Sequence, residues 1–440
     1  MNTIVRSAVH LDSHPVLSLE ELGQCALPAG FLFLVDDETG RIVEPVLLYL
    51  TDRFISRKGY SQLNTLRAAV YILKDWWAFL SEFTKTWNEV CTDDLRFYRD
   101  AMLQTVSPKT HRPYDVGTVR RRLSTVLQFY DWAEREGFFG EILNVKSVRQ
   151  IARSLDRNAM AHLTSSAGRI EVSDLLPLSR RGADDAVRPL TETEYRTVAH
   201  LLGPLPPEAG QSITDCRPTR YRLIAEVAIH TGMRRDEISS LTVWQIFDLR
   251  PDASRPFEVV RLRIIKTKGL RPRHVFMPNW LVVGLLWYIE HERKQALTVA
   301  KRLGLKNNAP EPKVLFLNGP EARRHAGKPL QNGTIDVHFH QAILSAGLTH
   351  AVHKTHPETG VHYNGQVPSH VFHDLRHTFA TWLYWFEKSQ GNPEPWKKIQ
   401  ARLGHTELST TTDLYLRAAA DFEAQVSDTT MKFFEAIRHG

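Results

Sequence analysis

Apolar residues recur at helical spacing in two long stretches of the N-terminal third. In SQLNTLRAAVYILKDWWAFL, Leu66, Val70, Leu73, Trp77 and Leu80 fall on one stripe, with Ser61 placed to cap its start. In DVGTVRRRLSTVLQFYDWAEREGFFG, Val119, Leu123, Val126, Leu127 and Tyr130 do the same, and the run stops at a glycine-containing end. Between them TDDLRFYRDAML predicts a shorter helix capped by Thr92. Residues 43–142 therefore predict a small all-helical bundle. Upstream, residues 1–42 read as an N-terminal arm in which GFLFLVDDETGRIV, two apolar runs around a turn-forming DDETG, predicts a short hairpin.

Apolar periodicity weakens over residues 143–190, where Ser, Arg and Asp become common, and a new start signal follows at Thr191. This segment predicts a linker, either a hinge that lets two domains close around a duplex or a strap packed on the surface. Residues 191–440 read as mixed α and β. CRPTRYRLIAEVAIHTG predicts a buried helix ending at glycine, and FEVVRLRIIKTKGLRPRHVFMP alternates on both sides of a basic turn, as a hairpin does. Helices follow at WLVVGLLWYIEHERKQAL, at TIDVHFHQAILSAG and on to the C-terminus. The fold class predicted is mainly α with small β elements, and no internal repeat is visible.

Composition narrows the function without naming it. The chain has 440 residues, enough for two domains, and 42% of them are hydrophobic. Its net charge of +7 suits a polyanionic partner. Three scattered cysteines, Cys25, Cys91 and Cys216, argue against a disulfide framework or a thiolate zinc site. The start MNTIVRSAVHLDSH lacks the apolar run of a signal peptide, and the longest apolar stretch, 280–289, is half what a bilayer needs. A soluble, cytoplasmic protein without a membrane partner is expected.

Four short motifs in the last region carry candidate chemistry. HTGMRRDEISSL places Glu237 three residues after Arg234, on one helix face, so the carboxylate can orient the arginine. The turn IIKTKGLRPRH offers Lys268, with Lys266 as the competing choice. HVFHDLRHTFATWL sets His373 and Arg376 one turn apart on a helix whose Phe372, Leu375 and Phe379 pack inward. RLGHTELSTTTDLYLR carries His405 past a helix-ending Gly404 and then Tyr415. Each motif alone is common: such arginine–glutamate pairs are mostly surface ion pairs, and a tyrosine in an amphipathic helix is mostly core filler. The ordered set is not common.

Taken in order, TGMRRDEISSL, the lysine-bearing β-turn, HDLRHTFAT and LGHTELSTTTDLY resemble the successive motifs of the tyrosine recombinase (phage integrase) catalytic domain. SQLNT and TVRRRLSTVLQFYDWA resemble that family's SAM-like core-binding domain. The resemblance implies a helical DNA-binding domain over 43–142 and a mixed α+β catalytic domain over 191–440. It implies that Arg234 and Arg376 grip the scissile phosphate, with Glu237 supporting the first. His373 is the base, Lys268 protonates the leaving oxygen, His405 bonds the phosphate and Tyr415 is the nucleophile. Guanidiniums suit this work because they are permanently charged donor forks. The implied partners are double-stranded DNA bearing a specific recombination site, further copies of the chain forming a tetramer on DNA, and accessory proteins. No cofactor and no metal are implied.

The pattern departs from the family in three places. The stretch from His405 to Tyr415 is one residue longer than usual, the lysine turn about two residues longer, and THAVHKTHPETGVHYNGQVPSH is inserted before the third motif. The five histidines of that insertion, His350, His353, His356, His362 and His370, fit no closed zinc pattern and predict a polar loop. In the helical domain Arg53, Arg57, Lys58, Arg120 and Arg121 lie off the apolar stripes, as solvated faces or as phosphate contacts. A type IB topoisomerase-like swivelase and a non-catalytic DNA-binding accessory factor are the competing functions.

Overall fold

The computed structural model describes residues 3–8, 27–56, 63–143, 146–151, 168–177, 188–207, 215–265, 272–305 and 310–404. It divides into two compact units: residues 1–180 with 353–363, and residues 181–352 with 364–440.

The first unit is helical around one core. Its helices are α1 (Glu44–Thr51), α2 (Leu63–Glu82), α3 (Thr92–Gln104) and α4 (Val116–Arg135). All five stripe residues expected on α2, and all five on α4, are buried. Each such side chain contributes about 1.5–3 kcal/mol by leaving water. Trp76, fully buried, donates from its indole nitrogen to the Tyr130 hydroxyl at 3.2 Å, so the largest core residue keeps its polar atom partnered. Asp115 caps α4 through Thr118 N, and Gly137 at φ 77° follows its end. The cap of α3 is Cys91 rather than Thr92, because the Asp94 carboxylate reaches back to the Cys91 amide at 2.8 Å. Ser61 lies outside the described residues.

Two sheets in this unit differ from expectation. The run Leu32–Asp36 (β2) pairs antiparallel with Thr3–Ser7 (β1), and only one bridge, Val35 to Ile42, joins it to the segment after the DDETG turn. The turn itself forms, with the Asp36 carboxylate accepting from Glu38 N and Thr39 N. Phe31 and Leu34 sit fully buried in the helical core, so this part of the arm is built into the unit. The expected linker contains an antiparallel pair, β3 (Lys146–Ile151) with β4 (Gly168–Ser173).

The second unit wraps helices around α6 (Arg220–Thr231), ten of whose twelve residues are buried. Gly232 ends α6 at φ 65°, and a Cβ there would lie 2.4 Å from Phe379, so only glycine fits. Preceding it is α5 (Glu192–Leu202), whose capping box joins Thr191 and Glu194. Short helices α7 (Arg235–Ser239) and α8 (Val243–Phe247) lead to the hairpin of β5 (Val259–Ile264) and β6 (Arg273–Pro278), paired Val259 to Pro278 through Ile264 to Arg273. Then come α9 (Asn279–Tyr288), α10 (Lys294–Arg302) and α11 (Asn332–Ser345). The last described helices are α12 (Asp374–Ser389) and α13 (Pro395–Leu403).

The histidine-rich insertion is not a loop. It forms strands β7 (Thr349–Thr355) and β8 (His362–Pro368), joined as a two-stranded sheet. Among the described residues no cluster of three or more His, Cys, Asp or Glu could hold a metal ion. None of the described helices is long and apolar enough to cross a membrane.

Candidate active site

Three segments distant in sequence meet in the second unit. The chain leaves α6 at Gly232, runs through Met233 and starts α7 with Arg234 as its N-cap. Glu237 occupies the third position of that helix and accepts from the Arg234 amide at 2.8 Å and from its guanidinium at 3.2 Å. The spacing that suggested an orienting carboxylate thus places one. The pair is no surface bridge, because the Glu237 side chain is only 2% exposed.

Arg376, in the first turn of α12, is equally enclosed at 2%. Its guanidinium donates to the Gly232 carbonyl and, at 2.7 Å, to the Leu403 carbonyl. The fork therefore ties the end of α6, two residues before Arg234, to the end of α13, two residues before position 405. Phe372 and Leu375 are buried as expected, and Phe379 packs with Ile399 and Leu403.

A cleft of about 560 Å³ opens above this frame. Arg234 and His373 both line it, with Arg235, Asp236, Asp336 and His340. His373 is exposed at the start of α12, its ring edge-on to His377 at 4.9 Å between centroids. Arg235 is drawn aside by an ion pair with Asp336, which leaves Arg234 as the arginine whose partner is a buried carboxylate. His370 also lines the cleft, buried, with no hydrogen-bond partner for its Nδ1 among the described residues. Burial holds its imidazole below the ordinary histidine value, with Arg188 adding to the effect.

Two carboxyls of the frame titrate in opposite directions. Burial alone would push Glu237 up, but hydrogen bonds and charge from Arg273, with the amide and charge of Arg234, hold it below the usual glutamate value. Asp374 lacks such an ion pair: burial pushes it up to about 6, against the Val371 amide and Arg188.

Arg273 is the residue that the sequence reading missed. It meets Glu237 with both terminal nitrogens, at 2.5 and 2.6 Å. A signal was present, since Arg273 shares its strand face with Val275 and Met277, both buried. An arginine in register with a buried face needs a buried acid.

Lys266, Lys268, His405 and Tyr415 lie outside the described residues, as do Arg57 and Lys58. Of the other cations singled out in the helical unit, Arg53 is held by the Tyr49 hydroxyl and the Gln128 side chain. Arg120 donates to the Pro177 carbonyl at 3.0 Å. Arg121 is exposed on α4, with no side-chain partner among the described residues.

Residues 208–421 match the profile of the phage integrase family, and residues 49–137 match that of its N-terminal SAM-like domain. The tyrosine recombinase XerC of Chlamydia trachomatis serovar L2 is 27% identical over 211 residues, 48% of this chain and 50% of its own length. XerC of Halalkalibacterium halodurans is 24% identical over 72% of this chain and 82% of its own. The chain spans about half the length of most of the curated relatives it matches. Among solved structures, XerH site-specific recombinase bound to a palindromic difH substrate superposes with a TM-score of 0.46 at 16% identity, over 91% of this chain and 92% of that one. A lambda integrase dimer bound to a COC′ core site gives 0.45 at 16% identity, over 84% and 76%. With the two profile matches falling in order on the helical unit and on the unit that holds the cleft, the chain belongs to the phage integrase family of tyrosine recombinases.

Proposed function

We propose that this chain is a site-specific recombinase that cuts and rejoins double-stranded DNA through a 3′-phosphotyrosyl bond at Tyr415. The observation that carries the reading is the frame around the cleft. Arg234 and His373 line one opening, and Arg376 ties together the chain ends that lead to Arg234 and to position 405.

In this reading the scissile phosphate binds where Arg234 can reach its nonbridging oxygens, and Arg376 completes the cationic frame. The Tyr415 oxygen attacks phosphorus while His373 takes its proton. The bond from phosphorus to the 5′-oxygen breaks, and that oxygen takes a proton from Lys268, with Lys266 as the alternative donor. His405 donates a hydrogen bond to the phosphate. One phosphodiester is exchanged for another, so a free 5′-hydroxyl can reverse the step without ATP or a metal ion. Strand exchange then passes through a Holliday junction within a tetramer, in the cytoplasm at the nucleoid. Residues 43–142 hold the duplex, with Arg53, Arg57, Lys58, Arg120 and Arg121 as phosphate contacts, and residues 143–190 connect them to the catalytic domain over 191–440.

The test is covalent capture. Full-length protein is incubated, in EDTA and without ATP, with a pool of nicked duplexes carrying a randomised core. Denaturant-resistant complexes on a selected subset of sequences are expected. Absence of any covalent complex overturns the reading in favour of an accessory DNA-binding protein. Relaxation of any supercoiled plasmid by the monomer would instead make it a topoisomerase.

A further inference from the structure

We propose that Arg273 is a positioning residue for Arg234, acting through Glu237, so that the site needs three charged groups where one arginine meets the phosphate. The proposal rests on the reading of the cleft as the DNA-cleaving site.

The geometry is a closed arrangement around one carboxylate. Glu237 Oε1 accepts from Arg273 Nη1 at 2.5 Å and from Arg234 Nη1 at 3.2 Å. Oε2 accepts from Arg273 Nη2 at 2.6 Å and from the Arg234 amide at 2.8 Å. The Arg273 side chain is 9% exposed, whereas that of Arg234 is 25% exposed and lines the cleft. Arg273 is therefore enclosed with its acid, and Arg234 is the one presented.

Charge explains why the second guanidinium is needed. Glu237 fixes the direction of Arg234, but alone it would also neutralise it. With Arg273 added, two positive groups share one negative group, and a full positive charge is left for an incoming phosphate. A lysine could restore the charge but not the two parallel bonds that set the carboxylate plane. The same side chain reaches the end of α13: a Cβ on Gly404 would lie 2.6 Å from Arg273 Cδ, and Gly404 stands at φ 66°. Arg273 thus packs against the residue that precedes position 405.

Removing Arg273 leaves Glu237 buried, with Arg234 at its own helix start as its charged partner among the described residues. Burial then dominates and the carboxyl takes up a proton at higher pH, releasing its grip on Arg234. The acid limb of the cleavage profile should move up, which a purely structural loss would not produce.

The experiment follows covalent capture on the nicked-duplex pool across pH for wild type, Arg273→Lys, Arg273→Met and the double variant Glu237→Gln/Arg273→Met, with melting temperature measured for each. Arg273→Met is expected to slow cleavage by roughly tenfold to a hundredfold near neutral pH. Its acid limb should rise by about one pH unit or more, with Arg273→Lys intermediate in both. The double variant, which removes the buried carboxylate whose unpaired charge could keep Arg273→Met from folding, should remain slow and lose the displaced limb. Cleavage by Arg273→Met within about threefold of wild type overturns the proposal, as does slowing by Arg273→Met or Arg273→Lys with the wild-type profile intact. If wild type forms no covalent complex, the functional reading itself fails, a result distinct from either.

Discussion

Along α4 of the helical unit, Arg121 sits on the outside of the bundle, while Arg120 and Arg122 on either side of it are partly buried and paired. Arg121 is exposed without a side-chain partner among the described residues, whereas Arg122 donates to Asp75 at 2.8 Å and lies over the face of the Tyr114 ring. In the second unit Arg376 and Arg273 are almost wholly enclosed, one forked onto two backbone carbonyls and the other onto both oxygens of a buried acid. The two settings fit two tasks. Sequence-independent phosphate contact needs mobile charge at the surface and tolerates the loss of any one contact. Stabilising charge that develops at one phosphate needs donors fixed beforehand, and burial with forked hydrogen bonds fixes them.

The sharpest way to break this comparison is Arg376→Ala. It should abolish covalent capture, by about a thousandfold or more, and lower stability by about 3 kcal/mol by leaving the Gly232 and Leu403 carbonyls unpaired. Capture kinetics and thermal melts read both. Arg376→Lys should recover part of the stability and little of the rate, since an ammonium has no fork. Equal loss of stability and full retention of cleavage would place the guanidinium in the scaffold alone.

A smaller effect is expected at Asp374. Its carboxyl titrates near 6 in the folded chain, above the ordinary 3.8, so the folded state holds the proton more tightly than the unfolded state. The stability contributed by the protonated form is complete below the unfolded value and is lost as pH rises through 6. Asp374→Asn, which keeps an acceptor for the Val371 amide, should therefore be more stable than wild type by about 1 kcal/mol near neutral pH. The difference should vanish as pH falls towards the unfolded value, and melts at several pH values check the sign.

The smallest effect is expected at Arg121. Arg121→Ala should leave stability within about 0.5 kcal/mol and weaken binding to all duplexes alike, reducing the salt slope by about one. A change confined to one sequence would assign it to base readout instead.

Sequence revealed most where a local rule coincided with burial. The stripes of α2 and α4 have helical period, and their members are the core. The Arg234–Glu237 and His373–Arg376 spacings are single helical turns, and both land at helix starts, with Arg234 and His373 lining one cleft. It revealed least where pairing is remote. The main partner of β2 is β1, across a long intervening segment, while the adjacent DDETG turn gives the expected hairpin only a single bridge, Val35 to Ile42. Strands β3 and β4 lie in polar sequence, and β7 and β8 are masked by histidines, so neither shows a strong alternation. Arg273 escaped because its motif neighbours, Lys266 and Lys268, drew the reading to the turn and away from strand parity.

The account rests on the identity of the attacking atom. Covalent capture on the selected nicked duplex should occur for wild type and be absent for Tyr415→Phe, while gel shifts show the two proteins binding that duplex equally. Persistent covalent attachment in Tyr415→Phe would mean that another residue attacks, and the site as drawn here would be wrong.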